Sequence, residues 1–185
     1  MELHERIIKK AKEKKSEWHE ARVGFYHASQ IYDICSGKLK PGDFFKQPVF
    51  DDTTHLIFAL GKMYHELAQS SYEPDEIEIE IKIDLGDGAK IVGRVDALPK
   101  DKNVPIEFKS CSKLPTKPSV AHEYQVQCYI QALKTEFGWL SYLEKGGKIN
   151  LPSRNFKILK DDSLFKDISE KVVQFHKELE KVAKN

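Results

Sequence analysis

The sequence predicts one α/β domain in which helices flank a mixed central β-sheet. Three observations support this fold class. The chain has 185 residues, which is enough to bury one sizeable core. Segments with helical periodicity alternate with segments of period two, an order typical of α/β and α+β proteins. The composition, 40% hydrophobic and 32% charged, is that of a folded globular chain rather than a disordered one.

The first third of the chain is predicted to be helical apart from one loop. Residues 3–20 have a helical pattern with a lysine-rich outer face, and residues 29–37 form a short helix that ends at Gly37. The loop that follows contains two prolines and a glycine. A longer helix is predicted over residues 53–72, where a threonine is available as the N-terminal cap.

The middle of the chain predicts a three-stranded antiparallel meander. Residues 76–85 alternate apolar and charged side chains with period two, as in a half-buried strand. Residues 89–99 follow after a Gly-Asp-Gly turn, and residues 104–111 follow after a polar loop.

The last third is predicted to contain two helices separated by strands. Residues 119–137 form a helix that is apolar on most faces and therefore buried. Residues 138–151 form a hairpin around Gly146-Gly147, and residues 155–159 form a further strand. An amphipathic helix begins at Asp162 and closes the chain.

Charge and cysteine content narrow the class of protein. The formal net charge of +1 does not indicate a partner, so nucleic-acid binding would need a local basic patch. No apolar run approaches the roughly 18 residues of a membrane span, and the charged first residues do not resemble a secretory signal. The three cysteines are widely spaced, which argues against a disulfide scaffold or a zinc site. We therefore expect a cytoplasmic protein with no membrane partner.

One charged hairpin could be a functional site. If the second and third strands of the meander pair, Asp96 lies opposite Glu107, with Cβ atoms roughly 5 Å apart. Glu107 and Lys109 point to the same face because side chains alternate along a strand. Such a group suits Mg²⁺ or Mn²⁺, which carboxylate oxygens bind together with water and substrate phosphates. The alternative is a solvated face with a weak ion pair, which is the commoner arrangement for these three residues alone.

The motifs around this hairpin resemble those of the RecB-type branch of the PD-(D/E)xK nuclease superfamily, and most of all the CRISPR-associated RecB-like exonucleases. His65 matches the histidine that a helix supplies in that family. The segment 93–96, Gly-Arg-Val-Asp, matches the GxxD motif, and the segment 107–109, Glu-Phe-Lys, matches the ExK motif. Gln125 and Tyr129 match the QxxxY motif of the following helix.

The resemblance implies a restriction-endonuclease-like core over residues 55–145 within a single nuclease domain. Residues 1–54 would add N-terminal helices and a loop, and residues 146–185 a strand and the C-terminal helix. The implied activity is metal-dependent hydrolysis of phosphodiester bonds, as an exonuclease on single-stranded DNA or DNA ends. The implied cofactor is Mg²⁺ or Mn²⁺. An iron–sulfur cluster is not expected, because no cysteine follows Cys128. Protein partners in a recombination or CRISPR-type complex are a further expectation, and the oligomeric state is left open.

The resemblance also assigns roles to individual residues. The metal would be held by His65, Asp96, Glu107 and the backbone carbonyl of Phe108, and Lys109 would orient water or stabilise charge. The catalytic set is completed by two residues that would hold Lys109 and the substrate phosphate, Gln125 and Tyr129. Contacts with DNA are predicted for four side chains near the site, Arg94, Lys113, Lys117 and His122.

Two other interpretations compete with a nuclease. The same fold could serve as a non-catalytic module that binds DNA or a protein partner. The chain could also be an unrelated α/β protein whose hairpin charges are incidental. Cleavage of DNA, and its loss on substitution of Asp96 or Lys109, separates a nuclease from both alternatives. Metal binding that is lost in Glu107→Ala separates the non-catalytic module from an unrelated protein.

Overall fold

The computed structural model describes residues 21–46, 50–145 and 152–184. The helix predicted over residues 3–20 and the turn at Gly146-Gly147 therefore lie outside the described residues. The strands are β1 (Phe25–His27), β2 (Ile77–Gly86), β3 (Ala89–Ala97), β4 (Ile106–Cys111), β5 (Phe137–Glu144) and β6 (Ser153–Leu159). The α-helices are α1 (Ile31–Cys35), α2 (Asp52–Gln69), α3 (Val120–Leu133) and α4 (Asp162–Ala183).

The six strands form one mixed sheet, so the predicted fold class is confirmed. The strand order is β1-β3-β4-β5-β6, and β2 pairs with the other edge of β3. The β1–β3 and β4–β5 pairs are parallel, whereas the β2–β3, β3–β4 and β5–β6 pairs are antiparallel. The predicted meander is thus present as β2, β3 and β4.

Two strands share one edge of β3. Because β2 occupies the opposite edge, β1 and β4 must both pair along the remaining one. The β1 pairing includes Tyr26 with Ile91, near the start of β3, and the β4 pairing consists of Ala97 with Ile106, at its end. The strands β3 and β4 therefore separate after a single pair, so the end of β3 has no continuous neighbouring strand on this edge.

The main core lies between the sheet and the helices α1, α3 and α4. On β3 the side chains of Ile91 and Val95 alternate with more exposed residues and are fully buried. On α4, Ile168 and Val172 recur on one helical face and are also fully buried, which confirms the predicted amphipathic helix. The buried side chains of β3 and those of α4 thus lie on the faces of these two elements that form the core.

The helix α3 is buried, as its sequence predicts, but it is shorter than predicted. The range Gln125–Ile130 is buried without interruption. The helix ends at Lys134, which adopts a left-handed conformation with a φ of 55°, and the Thr135 N–H then bonds to the Ile130 carbonyl. Residues 135–137, which the periodicity assigned to the helix, instead lead into β5.

The helix α2 has a different environment from α3 and α4. Its N-terminal cap is Asp51, whose carboxylate accepts a hydrogen bond from the Thr54 N–H at 2.7 Å, rather than the predicted threonine. Only Gln69 of this helix is buried, and large apolar side chains such as Met63 are exposed. Across the described ranges, no helix has both the length and the apolar character that a membrane crossing requires.

The strand β1 was not predicted, because residues 1–54 were expected to contain only helices and a loop. It has three residues, too few for an alternating pattern to emerge from the sequence. The partner of β5 also differs from the prediction. The strand expected over residues 155–159 as a separate element is β6 (Ser153–Leu159), and it pairs antiparallel with β5.

Candidate active site

Asp96 lies where β3 and β4 separate. Its side chain is almost fully buried, and its Oδ2 accepts a hydrogen bond of 2.7 Å from the Phe108 N–H of β4. A side-chain oxygen thus serves as acceptor where a continuous ladder would have a backbone carbonyl. This bond fixes the orientation of the carboxylate, and it links the GxxD and ExK motifs directly.

Glu107 and Lys109 form a close buried ion pair. The Glu107 carboxylate is 2% exposed, and its Oε1 lies 2.5 Å from the Lys109 Nζ. The predicted common face of these two residues is therefore confirmed. Burial raises the pKa of Glu107 to about 7 against the opposing charge of Lys109, and the Asp96 charge adds to the rise. Burial alone would lower the pKa of Lys109, but the charge of Glu107 outweighs it and raises that pKa.

The second oxygen of the Glu107 carboxylate has no hydrogen-bond partner among the described residues, although this atom is buried. Leaving a buried acceptor unsatisfied costs about 1–3 kcal/mol, and more when the group is charged. Such an atom in a native fold calls for an explanation such as a bound ion.

The helix α2 brings His65 to the same place. Its Nδ1 lies 3.6 Å from the Asp96 Oδ2, which is an electrostatic contact longer than a hydrogen bond. Burial disfavours protonation of the imidazole, but the Asp96 carboxylate outweighs burial and raises the pKa of His65. Gly61 of the helix faces β4, and a Cβ there would lie in contact with the Ser110 Oγ, at 3.4 Å.

The QxxxY residues support the backbone of β3. The Gln125 Nε2 donates to the Tyr129 hydroxyl at 2.7 Å, and that hydroxyl donates to the Arg94 carbonyl at 2.9 Å. Tyr129 can approach this closely because β3 has Gly93 here: a Cβ would lie 3.3 Å from the tyrosine ring and 3.1 Å from the Ala28 Cβ. These bonds join Gln125 and Tyr129 to β3, and their predicted role in holding Lys109 and the substrate phosphate stays a prediction.

The four predicted DNA contacts have different environments. Lys113 and Lys117 are exposed on the loop between β4 and α3. Arg94 lies on β3, with its Nη1 3.4 Å from the Glu78 Oε2. The Nδ1 of His122 forms a 2.7 Å hydrogen bond with the Tyr142 hydroxyl. Burial and the charge of Lys109 lower the pKa of His122 to about 4. The lowered pKa of His122 favours its neutral form, and its contact with DNA stays a prediction.

Two residues near Asp96 were not identified from the sequence. Gln69, the one buried residue of α2, donates from its Nε2 to the Asp96 carbonyl at 3.1 Å and to the Glu78 Oε1 at 2.7 Å. Glu78 has a left-handed backbone with a φ of 54°, a conformation that costs a non-glycine residue about 1 kcal/mol or more. Neither residue belongs to a motif, so only their positions in the fold reveal them.

Two cavities flank the end of β3. The larger, of about 660 Å³, is lined by His65 and Gly61 of α2 and by cationic and apolar side chains that include Lys62 and Phe58. The smaller, of about 200 Å³, contains Asp96 together with the QxxxY residues and the start of the segment after β1. The Asp96–His65 contact thus connects the two spaces.

The residues present are suited to a divalent cation that keeps much of its hydration. The described part of the chain contains no ready-made group of three or more histidine, cysteine, aspartate or glutamate side chains in metal-binding geometry. Mg²⁺, however, is usually bound by one or two carboxylates, with water and substrate phosphates in the remaining positions. Asp96 and the Oε2 of Glu107, which has no partner among the described residues, would be the two carboxylates of such a site beside His65.

The chain belongs to the PD-(D/E)XK nuclease superfamily. The model of that superfamily matches residues 7–185, which is nearly the whole sequence. No curated protein matches the sequence significantly.

Solved structures with the same fold include two exonucleases. An alkaline exonuclease from Laribacter hongkongensis superposes with a TM-score of 0.64 at 21% identity, covering 90% of this chain and 93% of that one. The same enzyme in complex with dAMP gives a TM-score of 0.62. A phage-related exonuclease from Haemophilus somnus 129PT gives 0.60 at 14% identity, with coverages of 86% and 95%. These similarities confirm the fold, and they show no particular closeness to the CRISPR-associated branch.

Proposed function

We propose that this protein is a Mg²⁺- or Mn²⁺-dependent deoxyribonuclease that acts as an exonuclease on single-stranded DNA or DNA ends. The observation that carries this proposal is the buried, unpartnered Oε2 of Glu107 beside Asp96 and Lys109. A purely structural ion pair would be expected to satisfy both carboxylate oxygens. Membership of the nuclease superfamily and the exonuclease structural neighbours support the same conclusion.

The proposed ligands of the metal are Asp96, Glu107, His65 and the Phe108 carbonyl. When bound, the cation would polarise a phosphodiester group and lower the pKa of a coordinated water. The Phe108 N–H holds the Asp96 carboxylate in one orientation, so little reorganisation is needed on binding. The fold thus contributes to metal binding by holding these ligands in place before the cation arrives.

Lys109 is the proposed residue for orienting the attacking water and offsetting phosphate charge. Its raised pKa keeps the ammonium protonated at neutral pH, so in this state it donates hydrogen bonds and cannot act as a base. Its partner Glu107 holds it at 2.5 Å inside the site. Gln125 and Tyr129 act one step further away, since they fix the β3 backbone two residues before Asp96.

The proposed substrate preference rests on the shape and charge of the larger cavity. This cavity lies beside His65. Its lining combines three cations and two carboxylates with the half-exposed ring of Phe58: Lys62, Arg94, Lys145, Glu66 and Glu78. Aromatic rings and cations together suit a single strand, because bases stack on the ring while the backbone contacts the charges. The exonuclease neighbours favour action at ends.

The test is cleavage of labelled DNA. Linear and circular single strands and blunt duplexes are incubated with the protein in Mg²⁺, in Mn²⁺ and in EDTA. We expect metal-dependent loss of the linear single strand, no cleavage of the circle, and a loss of at least about a hundredfold in rate for Asp96→Asn and Lys109→Met. Glu170→Gln, on an exposed ion pair of α4, is the matched control and should cleave normally.

Three results would contradict parts of this proposal. DNA binding without cleavage in any metal would instead support the non-catalytic module. Equal cleavage of circular DNA would make the protein an endonuclease. Full activity in both site variants would show that the reaction takes place elsewhere.

A further inference from the structure

Glu78 occupies a special position in the sheet. The β2–β3 register pairs Ile77 with Ala97 and Ile79 with Val95, which places Glu78 at the position across from Asp96. No pair forms between these two residues, because Glu78 takes a left-handed backbone conformation with a φ of 54°. Strained residues of this kind persist where surrounding contacts hold them, and they are frequent at functional sites.

The carboxylate of Glu78 is held from two sides. Its Oε1 accepts the 2.7 Å bond from the Gln69 Nε2, and its Oε2 lies 3.4 Å from the Arg94 Nη1. The same nitrogen of Gln69 also donates to the Asp96 carbonyl. Glu78 therefore contacts the side chain of Arg94 directly, and the buried Gln69 side chain links it by hydrogen bonds to the backbone of Asp96.

Glu78 and Arg94 are also the two residues that line both cavities at the end of β3. The larger cavity contains His65 and the smaller contains Asp96, so the ion pair stands at the junction of the two spaces. Any strand that extends across the Asp96–His65 contact would pass this pair. The Arg94 backbone is fixed there as well, by the bond from Tyr129 to its carbonyl.

An ordinary surface ion pair does not account for this arrangement. Both side chains are more than a third exposed, so their attraction adds little stability. Such a pair would need neither a left-handed backbone nor a buried glutamine shared with Asp96. A carboxylate on a nucleic-acid path is also unfavourable in itself, because it repels phosphate.

We propose that Glu78 is a positioning residue that holds Arg94 at the junction of the two cavities, where the guanidinium contacts a phosphate of the bound DNA strand. A guanidinium has five N–H donors in a planar fork, so one face can contact Glu78 while another contacts phosphate. The conformation of Glu78 aims its carboxylate at Arg94 and Gln69 instead of at Asp96. This inference rests on the proposed nuclease function and adds a specific phosphate contact to it.

The test measures binding of a fluorescein-labelled single-stranded oligonucleotide in EDTA, where no cleavage occurs, followed by KM and kcat in Mn²⁺. Arg94→Ala should weaken binding about fivefold or more. Glu78→Gly, which removes the carboxylate while accommodating the positive φ, should weaken it several-fold in the same direction. The double variant should bind no worse than Arg94→Ala alone, because Glu78 acts through Arg94. These changes should appear in KM more than in kcat.

The sign of the effect decides between the proposal and simple electrostatics. Removal of a carboxylate that merely repels DNA would tighten binding. Glu66→Gln, which removes the same charge from the larger cavity, is the control and should bind equally or slightly more tightly. Glu78→Gln should fall between the wild type and Glu78→Gly, since an amide oxygen still accepts from Arg94. Melting temperatures should stay close to that of the wild type.

The outcomes separate this inference from the nuclease proposal. Tighter binding by Glu78→Gly, or losses that multiply in the double variant, would overturn the role of Glu78 whether or not the wild type cleaves DNA. Weaker binding as expected, but without cleavage by the wild type, would support the Arg94 contact and reject the nuclease. A wild type that binds no DNA would overturn both.

Discussion

Two buried polar clusters lie at opposite ends of β3, and they differ in how completely their atoms are paired. Near the start of β3, the Tyr26 hydroxyl and the His176 Nδ1 form a buried hydrogen bond of 2.8 Å. Near its end, Asp96, Glu107 and Lys109 bring two carboxylates together with one ammonium, and one carboxylate oxygen has no partner in the described part of the chain.

The difference teaches how a structural polar pair can be told from a functional one. The Tyr26–His176 pair joins β1 to α4 and stabilises their packing, and burial keeps the tyrosine protonated by raising its pKa to about 12. The charged cluster has an excess of negative charge and an unsatisfied acceptor, both of which destabilise the fold. Sites that keep such a cost are typically those where binding or catalysis uses the groups.

The largest expected effect comes from Glu107→Gln. We expect DNA cleavage to fall about a thousandfold or more, because a metal ligand and the partner of Lys109 are lost together. The metal-free variant should also unfold more easily than the wild type, because the mostly buried Lys109 ammonium loses the counter-charge that Glu107 supplies. Cleavage rates and urea unfolding in EDTA measure the two effects. Cleavage at the wild-type rate would show that Glu107 takes no part in the reaction.

The second prediction concerns pH. The raised pKa of Glu107, about 7 against 4.5 in the unfolded chain, means that the folded state holds the proton more strongly. The contribution of this group to stability is therefore complete below about pH 4.5, and it is lost as pH rises to about 7. Unfolding free energies in EDTA should show the wild type losing more than about 1 kcal/mol relative to Glu107→Gln across that window.

Metal binding should reverse that loss, since a cation stabilises the ionised carboxylate. At pH 7.5, Mn²⁺ should raise the melting temperature of the wild type but not that of Glu107→Gln. An equal shift in both proteins would place the metal away from Glu107.

The third prediction tests the polar pair near the start of β3, Tyr26 and His176. Tyr26→Phe removes the hydroxyl and leaves the Nδ1 of His176 without this partner, so unfolding should become easier by about 1–2 kcal/mol. Cleavage of DNA below the melting temperature should be unchanged, because Tyr26 lies beside Ile91 near the start of β3. If Tyr26→Phe lost cleavage but kept its stability, the Tyr26–His176 pair would be functional rather than structural.

The smallest effect is expected from the exposed lysines before α3. Lys117→Ala should weaken DNA binding about twofold and reduce the slope of log affinity against log salt by about one. Lys166→Ala, on the exposed face of α4, should leave both quantities unchanged. Identical behaviour of the two variants would show that the β4–α3 loop does not contact DNA.

Much of the fold follows from periodicity in the sequence. The period-two pattern of residues 76–85 predicts β2 to within a residue, and the spacing on α4 predicts its buried stripe. The end of α3 was missed because Lys134 has no sequence feature that marks a left-handed cap. The strand β1 was missed because three residues are ordered by pairing with β3 rather than by their own pattern.

The sequence by itself determined the superfamily and the residues of its four motifs, because spacing along helices and strands is a local property. The contacts of these residues depend on the tertiary structure. It joins Gln125 and Tyr129 to the Arg94 carbonyl through a chain of hydrogen bonds, and it lowers the pKa of His122. It also brings Gln69 and Glu78 beside Asp96, where no motif points, because burial and long-range hydrogen bonds depend on segments that meet only in the folded chain.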